Sequence, residues 1–340
     1  MRKIYLLVFA ICCVLIHGAT NTQAYDAVVS NCAQFGGVNS LAQALDTVKT
    51  GGGTITFTCS GTIVIPTTII ITNAVTIIAD GQITLDGGDE IQIFMVEYEG
   101  TLTLDGVRLQ HGWGYEGGAI QNLGTSIIRN STFFGNFSEV GGGAIFNFGI
   151  LDVVNTQFIR NVSLYGGAIY SVNEMHISHS RFVGNGGLYS GGAIDGGGQN
   201  SIIASEFSHN MATGVSGGVA NSGTMVIINS LFRHNIGKIY GGGFYNNGVA
   251  RLYHNTFIGN ISELGGGVIM MDNRATNRMS IAQSQFRYNL SVIEGGAVFV
   301  RGSVPLMVYR NTFEENTTQQ GTENDIFAEH LHSLGDAKSQ

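Results

Sequence analysis

The stretch "GGAIFNFGILDVVNTQFIRN", Gly142 to Asn161, decides the fold of this chain because it returns with only its edges changed. It is followed by "GGAIYSVNEMHISHSRFVGN", Gly166 to Asn185, and later by "GGFYNNGVARLYHNTFIGN", Gly242 to Asn260. Aligned on a phenylalanine with an asparagine three residues later, the chain contains eight copies, most of them 24 or 25 residues apart. A fixed period of this size is typical of stacked repeat architectures.

The columns of this alignment indicate short strands. The two invariant columns are Phe133, Phe158, Phe182, Phe207, Phe232, Phe257, Phe286 and Phe313, and Asn136, Asn161, Asn185, Asn210, Asn235, Asn260, Asn289 and Asn316. The position five residues before each phenylalanine is always aliphatic, the position two before it is always small and polar, and the position directly before it holds mostly solvent-type residues. Alternation with a period of two is the strand signature. Each repeat is therefore predicted to form one coil of about three short strands, stacked on the next at about 4.8 Å.

Two kinds of corner are predicted for each coil. The glycine pairs before Ala119, Ala144, Ala168 and Ala193 allow positive φ where a side chain would collide. The asparagines are expected to form an amide ladder at another corner, each bonded to its neighbours and to the turn backbone. One coil cannot bury its own apolar face, whereas a stack of coils can.

The N-terminal residues predict an exported protein. Residues 1–24 have the pattern of a signal peptide, with Lys3 before an apolar run and a small-residue cleavage site at Ala24. We expect an N-terminal cap over 25–60, a β-helix over 61–327 and a tail over 328–340. The predicted mature chain keeps two cysteines, Cys32 and Cys59, which an oxidising compartment would allow to pair.

Composition and charge exclude several classes of function. The chain has 50 glycines but 2 prolines, which fits a backbone whose N–H groups mostly donate to neighbouring strands. A net charge of −8 and the lack of a basic stripe argue against nucleic acid as a partner. No second long apolar run follows the leader, so no transmembrane segment is expected in the mature chain. No cofactor is implied, and a secreted or cell-surface location is predicted.

The combination of "GGAI" with "FxxN" resembles the repeats of the polymorphic membrane proteins of chlamydiae, and more widely the right-handed parallel β-helix proteins of the pectin-lyase-like superfamily. The resemblance covers about Gly117 to Asn316. It implies an all-β, single-stranded right-handed parallel β-helix (a solenoid). The chlamydial proteins carry a C-terminal outer-membrane barrel, and no run of alternating ten-residue strands precedes the end of this sequence, so self-export is not expected.

The segment before the repeats, "NSLAQALDTVKTGGGTITFTCSGTI", is similar to the entry segment of bacterial secreted β-helix proteins. It predicts a short capping helix, with Asn39 or Ser40 as its N-cap and Gly51 as its stop. Such a helix would close the open end of the solenoid.

The sharpest catalytic candidate is a column of three outward residues, Asp152, His176 and Ser201, in successive coils. Their order matches a hydrolase triad, with about 5 Å per step. The alternative is three polar residues on a wet strand face, because Val226 and Arg251 continue the column and no oxyanion donor is evident.

Two binding candidates remain. Trp113, Tyr115 and Glu116 lie together in a glycine-rich segment and are predicted either to bind a ligand or to pack over the coil edge. Tyr115, Tyr189 and Tyr240 resemble a sugar-stacking stripe, but their column also holds aliphatic residues and favours an interior or half-buried ladder. His209 and His234 stack in adjacent coils, yet two residues without a third are weak metal ligands.

These observations leave two functions open. The first is a non-catalytic surface or matrix protein, adhesin-like, with a surface glycan or a protein receptor as its partner. The second is a polysaccharide-active lyase or glycoside hydrolase, which rests on the implied fold alone. The few aspartates of the repeats, among them Asp152, Asp195 and Asp272, are not adjacent in the alignment, which favours the first function.

Overall fold

The computed structural model describes residues 24–272, 274, 276–301, 305–319 and 325–328, and it shows a right-handed parallel β-solenoid of about 11 turns. The fold class predicted from the repeat is thus confirmed. All of the predicted signal peptide except Ala24, and residues 329–340 of the predicted tail, lie outside the described residues.

Each complete coil contains four short strands, so the expectation of about three was wrong. The coil that starts at Gly142 runs through Ile145–Asn147, Ile150–Val154, Gln157–Ile159 and Val162–Tyr165. The strand that follows the asparagine escaped sequence analysis because it shrinks to two residues, as in Met211–Ala212, and two residues show no alternation. We call the four strand positions face A (five-residue strands), face B (phenylalanine strands), face C (strands after the asparagine) and face D (strands after the glycine pair).

Faces A and B form one 21-stranded sheet, face C has 9 strands and face D has 11. Face A consists of Ala27–Val29, Gly53–Phe57, Ala74–Asp86, Thr101–Gln110, Thr125–Arg129, Ile150–Val154, Glu174–Ser178, Gln199–Ile203, Thr224–Ile228, Val249–Tyr253, Arg278–Ala282 and Leu306–Tyr309, of which the two longest continue into face B. Face B adds Gly61–Val64, Thr132–Phe134, Gln157–Ile159, Arg181–Val183, Glu206–Ser208, Leu231–Arg233, Thr256–Ile258, Gln285–Arg287 and Thr312–Glu314.

The strands of the other two faces are shorter. Face C consists of Trp113–Glu116, Phe137–Gly141, Val162–Tyr165, Gly186–Ser190, Met211–Ala212, Ile236–Gly237, Ile261–Ser262, Leu290–Ser291 and Thr317–Thr318. Face D consists of Ile69–Ile71, Phe94–Val96, Ile120–Asn122, Ile145–Asn147, Ile169–Ser171, Ile194–Gly196, Val219–Asn221, Phe244–Asn246, Ile269–Met271, Val298–Val300 and Ile326–Ala328. All pairings are parallel and join each strand to its equivalent in the next coil.

The phenylalanines of face B stack into one interior column. Successive ring centroids from Phe133 to Phe313 lie 4.7 to 4.9 Å apart, and the largest interplanar angle is 22°. This spacing equals the distance between neighbouring strands, because successive rings are attached to equivalent strands of successive coils. The rings of Phe133 through Phe286 are fully buried, so the column is the centre of the hydrophobic core.

The asparagines form a second interior column at the corner between faces B and C. In each step the Nδ2 of one asparagine donates to the Oδ1 of the next, at 2.7 to 3.0 Å. The same Oδ1 also accepts the backbone N–H of the preceding asparagine, as Asn210 does from Asn185. The ladder ends where Asn316 donates to Asp325. Because donors and acceptors are matched within the column, these polar side chains are buried without unmet hydrogen bonds.

The N-terminal end is closed by the helix Leu41–Val48. Ser40 is its N-cap and accepts the backbone N–H of Gln43, while Leu41, Ala44 and Val48 are buried. The Cys32–Cys59 disulfide ties this segment to the first coil. A cavity of about 590 Å³ lies between the helix and the strand Ile69–Ile71.

Candidate functional site

A concave corner runs along the molecule where face C passes into face D. In seven of the eight coils with such a corner the chain turns there at a glycine of positive φ, such as Gly142 (φ +64°), and in the remaining coil Ser216 (φ +56°) takes this place. A Cβ on Gly142 would lie too close to the backbone oxygen of Ile145, which favours glycine at this position. The equivalent Ser216 is accommodated with its hydroxyl donating to the backbone oxygen of Val219. The turn is so tight that little separates the outward side chains on its two sides.

Residues five apart in sequence meet across this corner. Gln121 donates from Nε2 to Oε2 of Glu116 at 2.9 Å, and the rings of Tyr165 and Tyr170 lie 6.2 Å apart. Outward side chains diverge at a convex corner, so these contacts show that the surface is concave. We call it the corner groove, and its facing pairs are Glu116 and Gln121, Gly141 and Phe146, Tyr165 and Tyr170, Ser190 and Asp195, Val215 and Ala220, Tyr240 and Tyr245, Gly265 and Met270, and Glu294 and Phe299.

Aromatic rings cover the N-terminal half of the corner groove. The ring of Tyr170 stacks on Phe146 at 5.2 Å between centroids and lies directly over Gly141, 3.0 Å from where a Cβ of Gly141 would be. Tyr165 also contacts Tyr189, with centroids 5.5 Å apart. Tyr189 is 53% exposed, so the cluster presents ring surface to solvent. Such surfaces, apolar with a polar tip, suit ligands that carry both kinds of group.

The three residues predicted as a binding cluster lie together at the N-terminal end of the groove. Trp113, Tyr115 and Glu116 line a shallow cavity of about 280 Å³. Gln92 shapes its floor by donating to the backbone oxygens of Glu116 and Gly117. Tyr115 is 64% exposed and Trp113 is 39% exposed, so both present ring surface to solvent.

Asp195 is the carboxyl group at the centre of the groove. It is partly buried, it is bonded to the Ser190 hydroxyl across the corner, and it stands in register with Tyr170 before it and Ala220 after it. Burial raises the pKa of Asp195 to about 6, with the hydrogen bond from Ser190 working against the shift. Burial and the nearby Asp195 carboxylate raise the pKa of Tyr170, which keeps that phenol neutral at physiological pH.

The predicted tyrosine ladder is not one column. The pairing runs from Ser163 with Gly187 to Tyr165 with Ser190, so a bulge shifts the register by one residue. Tyr240 consequently aligns with Val215, Ser190 and Tyr165, and Tyr189 stands one residue earlier. The prediction of an interior or half-buried position is wrong for Tyr115 and Tyr189, which are exposed, while Tyr240 is half-buried.

The three triad candidates lie on the outer surface of face A, but the carboxyl group that contacts His176 is not the predicted one. Ser201 Oγ is 2.8 Å from His176 Nδ1, as the register of their strands requires. The other ring nitrogen, Nε2, is 2.9 Å from Glu174 Oε1, so Glu174 and not Asp152 contacts the imidazole. Asp152 is the register neighbour of His176. Backbone N–H groups of these strands bond along the sheet, so none points outward to stabilise an oxyanion.

The last candidates, the two histidines considered as metal ligands, are exposed to solvent. The rings of His209 and His234 lie 5.4 Å apart. Within the described ranges no group of three His, Cys, Asp or Glu side chains could hold a metal ion. No helix in the described part of the chain is long and apolar enough to cross a membrane.

Two features of the corners were missed from the sequence. A second polar ladder connects faces D and A, where Asn122 donates to Asn147 and Asn147 to Ser171. The residue before each ladder asparagine has positive φ, including Arg160, His209 and His234. The recurrence of "N" two residues after "AI" could have revealed the ladder, but it is interrupted at Ser171 and Gly196.

Comparison with known proteins gives structural neighbours alone. No protein-family model matches the chain, and no curated protein sequence does. Pectate lyase Pel9A is 16% identical, with a TM-score of 0.45 and coverage of 90% of this chain and 79% of that one. PfbA, a surface adhesin of Streptococcus pneumoniae, is 12% identical, with a TM-score of 0.41 and coverage of 88% and 93%.

A third neighbour is the A-module of the mannuronan C-5 epimerase AlgE4 of Azotobacter vinelandii, at 11% identity, a TM-score of 0.36 and coverage of 92% and 90%. These three structural neighbours are thus a lyase, a surface adhesin and an epimerase.

Proposed function

We propose that this chain is an exported, non-catalytic surface or matrix protein, adhesin-like, that binds a glycan along the corner groove. One observation carries the proposal, namely the run of tyrosines and carboxyl groups that the glycine corner brings face to face, as at Tyr165 and Tyr170. The predicted leader, the repeats that resemble chlamydial surface proteins, and the Cys32–Cys59 disulfide support an extracellular location.

The chemistry of the groove suits a saccharide. Exposed ring faces such as Tyr189 provide flat apolar surface for the C–H faces of sugar rings, and phenol groups add hydrogen bonds. Carboxyl and amide groups such as Asp195 and Gln121 can bond hydroxyl groups. Because the groove follows the solenoid axis, successive coils present side chains at intervals of about 4.8 Å and a linear polymer can lie along several coils.

The groove lacks the carboxyl pair of a glycoside hydrolase. Such enzymes place two carboxyl groups about 5 to 9.5 Å apart. In the groove the nearest carboxyl group to Asp195 on the N-terminal side is Glu116, three coils away, or about 14 Å at strand spacing. This supports binding without cleavage.

A polysaccharide-active enzyme is the second candidate, and one observation favours it. The pKa of Asp195 is raised to about 6, which is suited to general acid or base chemistry. An enzyme would need a partner group for Asp195 supplied by the substrate or from outside the described residues.

Glycan-array and cell-binding measurements on the purified chain, run beside a depolymerisation assay, test the proposal. We expect binding without chain shortening, and loss of binding in Tyr170→Ala. The matched control is Tyr253→Ala, which removes an exposed ring on face A. Cleavage of any polysaccharide that Asp195→Asn abolishes would establish the enzyme instead.

A further inference from the structure

The corner groove has a one-sided charge pattern. Its eight facing pairs include three carboxyl groups, Glu116, Asp195 and Glu294, and neither lysine nor arginine. A polyanionic ligand would therefore meet carboxylates and tyrosines in these pairs. Beyond them, Arg274 acts on Tyr245 together with the Asp272 carboxylate, which is bonded to the Tyr245 hydroxyl. The overall charge of −8 has the same sign.

The middle of the groove contains a gap flanked by tyrosines. Tyr170 and Tyr245 stand three coils apart on face D, about 14 Å at strand spacing, and Asp195 and Ala220 lie between them. Opposite them across the corner are Tyr165, Ser190, Val215 and Tyr240. We call these eight residues the Asp195 cleft. Its central side chains are short, so its floor is lower than its tyrosine ends.

We propose that the Asp195 cleft binds uncharged hexose units of a glycan and discriminates against uronic acids. This inference rests on the proposed function, since it names the class of saccharide that the groove binds. The two tyrosine ends provide ring faces for stacking, and Asp195 accepts hydrogen bonds from sugar hydroxyl groups.

The discrimination follows from the cost of placing like charges in a partly buried site. A uronate would bring a second carboxylate beside Asp195, and one of the two would have to take up a proton. The groups that face Asp195 are Ser190 across the corner, Tyr170 in the preceding coil and Ala220 in the following one, and none is cationic. A neutral hexose adds hydroxyl donors without adding charge.

The sign of the pH dependence distinguishes the two ligand classes. Hydroxyl donors bind an ionised carboxylate more strongly than a neutral acid. Because the pKa of Asp195 is about 6, affinity for a neutral glycan should rise as pH increases from 5 to 7. Affinity for a uronate should instead fall over the same range, since ionisation of Asp195 creates repulsion.

Calorimetric titration of the purified full chain with length-matched neutral oligosaccharides (glucan, mannan and galactan series) and uronate oligosaccharides (galacturonate and mannuronate series) tests the inference. We expect a preference of about ten-fold or more for one of the neutral series, corresponding to about 1.4 kcal/mol. Asp195→Asn should weaken that binding and remove its dependence on pH. Asp152→Asn, an acid on face A, is the matched control and should leave binding unchanged.

The outcomes separate the inference from the proposed function. Tighter binding of a uronate series, or unchanged affinity and pH dependence in Asp195→Asn, overturns the inference and leaves glycan binding standing. Failure of every saccharide to bind overturns the proposed function together with it. Far-ultraviolet circular dichroism and thermal unfolding of each variant establish that it is folded before titration.

Discussion

The asparagine corner and the glycine corner belong to the same repeat, but the side chains are constant at the first corner and variable at the second. At the asparagine corner the same side chain recurs in eight coils, from Asn136 to Asn316, and each bonds the next. At the glycine corner the backbone recurs, while the outward residues change from Gln121 to Phe146, Tyr170 and Asp195 in successive coils. Stacking requires uniform interiors, whereas recognition requires differences. We therefore place stability at the first corner and function at the second.

The largest effect is expected from the phenylalanine column. Phe207→Ala removes a fully buried ring that stacks on Phe182 and Phe232, and we expect a loss of about 3 to 5 kcal/mol in the free energy of unfolding. Phe148→Ala, which truncates a ring that is 46% exposed, should cost much less. Chemical denaturation measures both. Equal losses in the two variants would contradict the assignment of stability to the interior columns.

A somewhat smaller loss is expected from the asparagine ladder. Asn210→Ala leaves Asn185 without its acceptor and removes the bonds to Asn235 and the Phe182 backbone oxygen. We expect about 3 kcal/mol of destabilisation, because each buried unmet group costs about 1 to 3 kcal/mol. The control is Asn130→Gly, which breaks bonds to Asp105 and Asn155 in an exposed column, keeps the positive φ of Asn130 accessible and should cost under about 1 kcal/mol.

The glycine corner should show an effect of pH. The pKa of Asp195 is about 6 in the folded protein, above its ordinary value of 3.8, so the folded state holds the proton more tightly. The stability that this proton contributes is complete below about pH 4 and is lost as pH rises to about 6. Asp195→Asn removes that loss, so its stability relative to the parent should increase by about 2 to 3 kcal/mol between pH 4 and 7. A constant difference across this range would show that Asp195 titrates normally.

The smallest effect is expected on the outer surface of face B. Glu206 lies between Arg181 at 3.1 Å and Arg233 at 2.7 Å. Although burial alone would raise its pKa, the bonds and charges of these arginines lower it. Glu206→Gln should cost about 0.5 to 1 kcal/mol at pH 7 and low salt, and less in molar salt. The contribution should disappear as pH falls through the lowered pKa of Glu206. A loss of several kcal/mol would mean that this surface, too, is part of the scaffold.

The same contrast explains what could be predicted from the sequence. Stacking of Phe158 on Phe182 follows from spacing alone, because one residue type recurs at each period. The positive φ of Gly142 was predictable for the same reason. The strand Met211–Ala212 was not, since two residues carry no periodic signal.

The corner groove was harder to predict, because it is defined by contacts between side chains and not by a residue type that recurs in every repeat. The bulge at Gly186–Ser190 shifts Tyr240 out of the column of Tyr189, and a gap-free alignment on phenylalanine cannot show it. The contact between Tyr165 and Tyr170 depends on how sharply the glycine pair turns. For the same reason the partner of His176 is Glu174, two residues away on its own strand, and not the stacked Asp152.

A crystal structure of the chain with an oligosaccharide that it binds tests the account most directly. We predict electron density for sugar rings along the glycine corner, between Tyr170 and Tyr245, with a hydroxyl group bonded to Asp195. Density on face A beside Ser201 and His176, or in the cavity under the capping helix with the glycine corner empty, would contradict it.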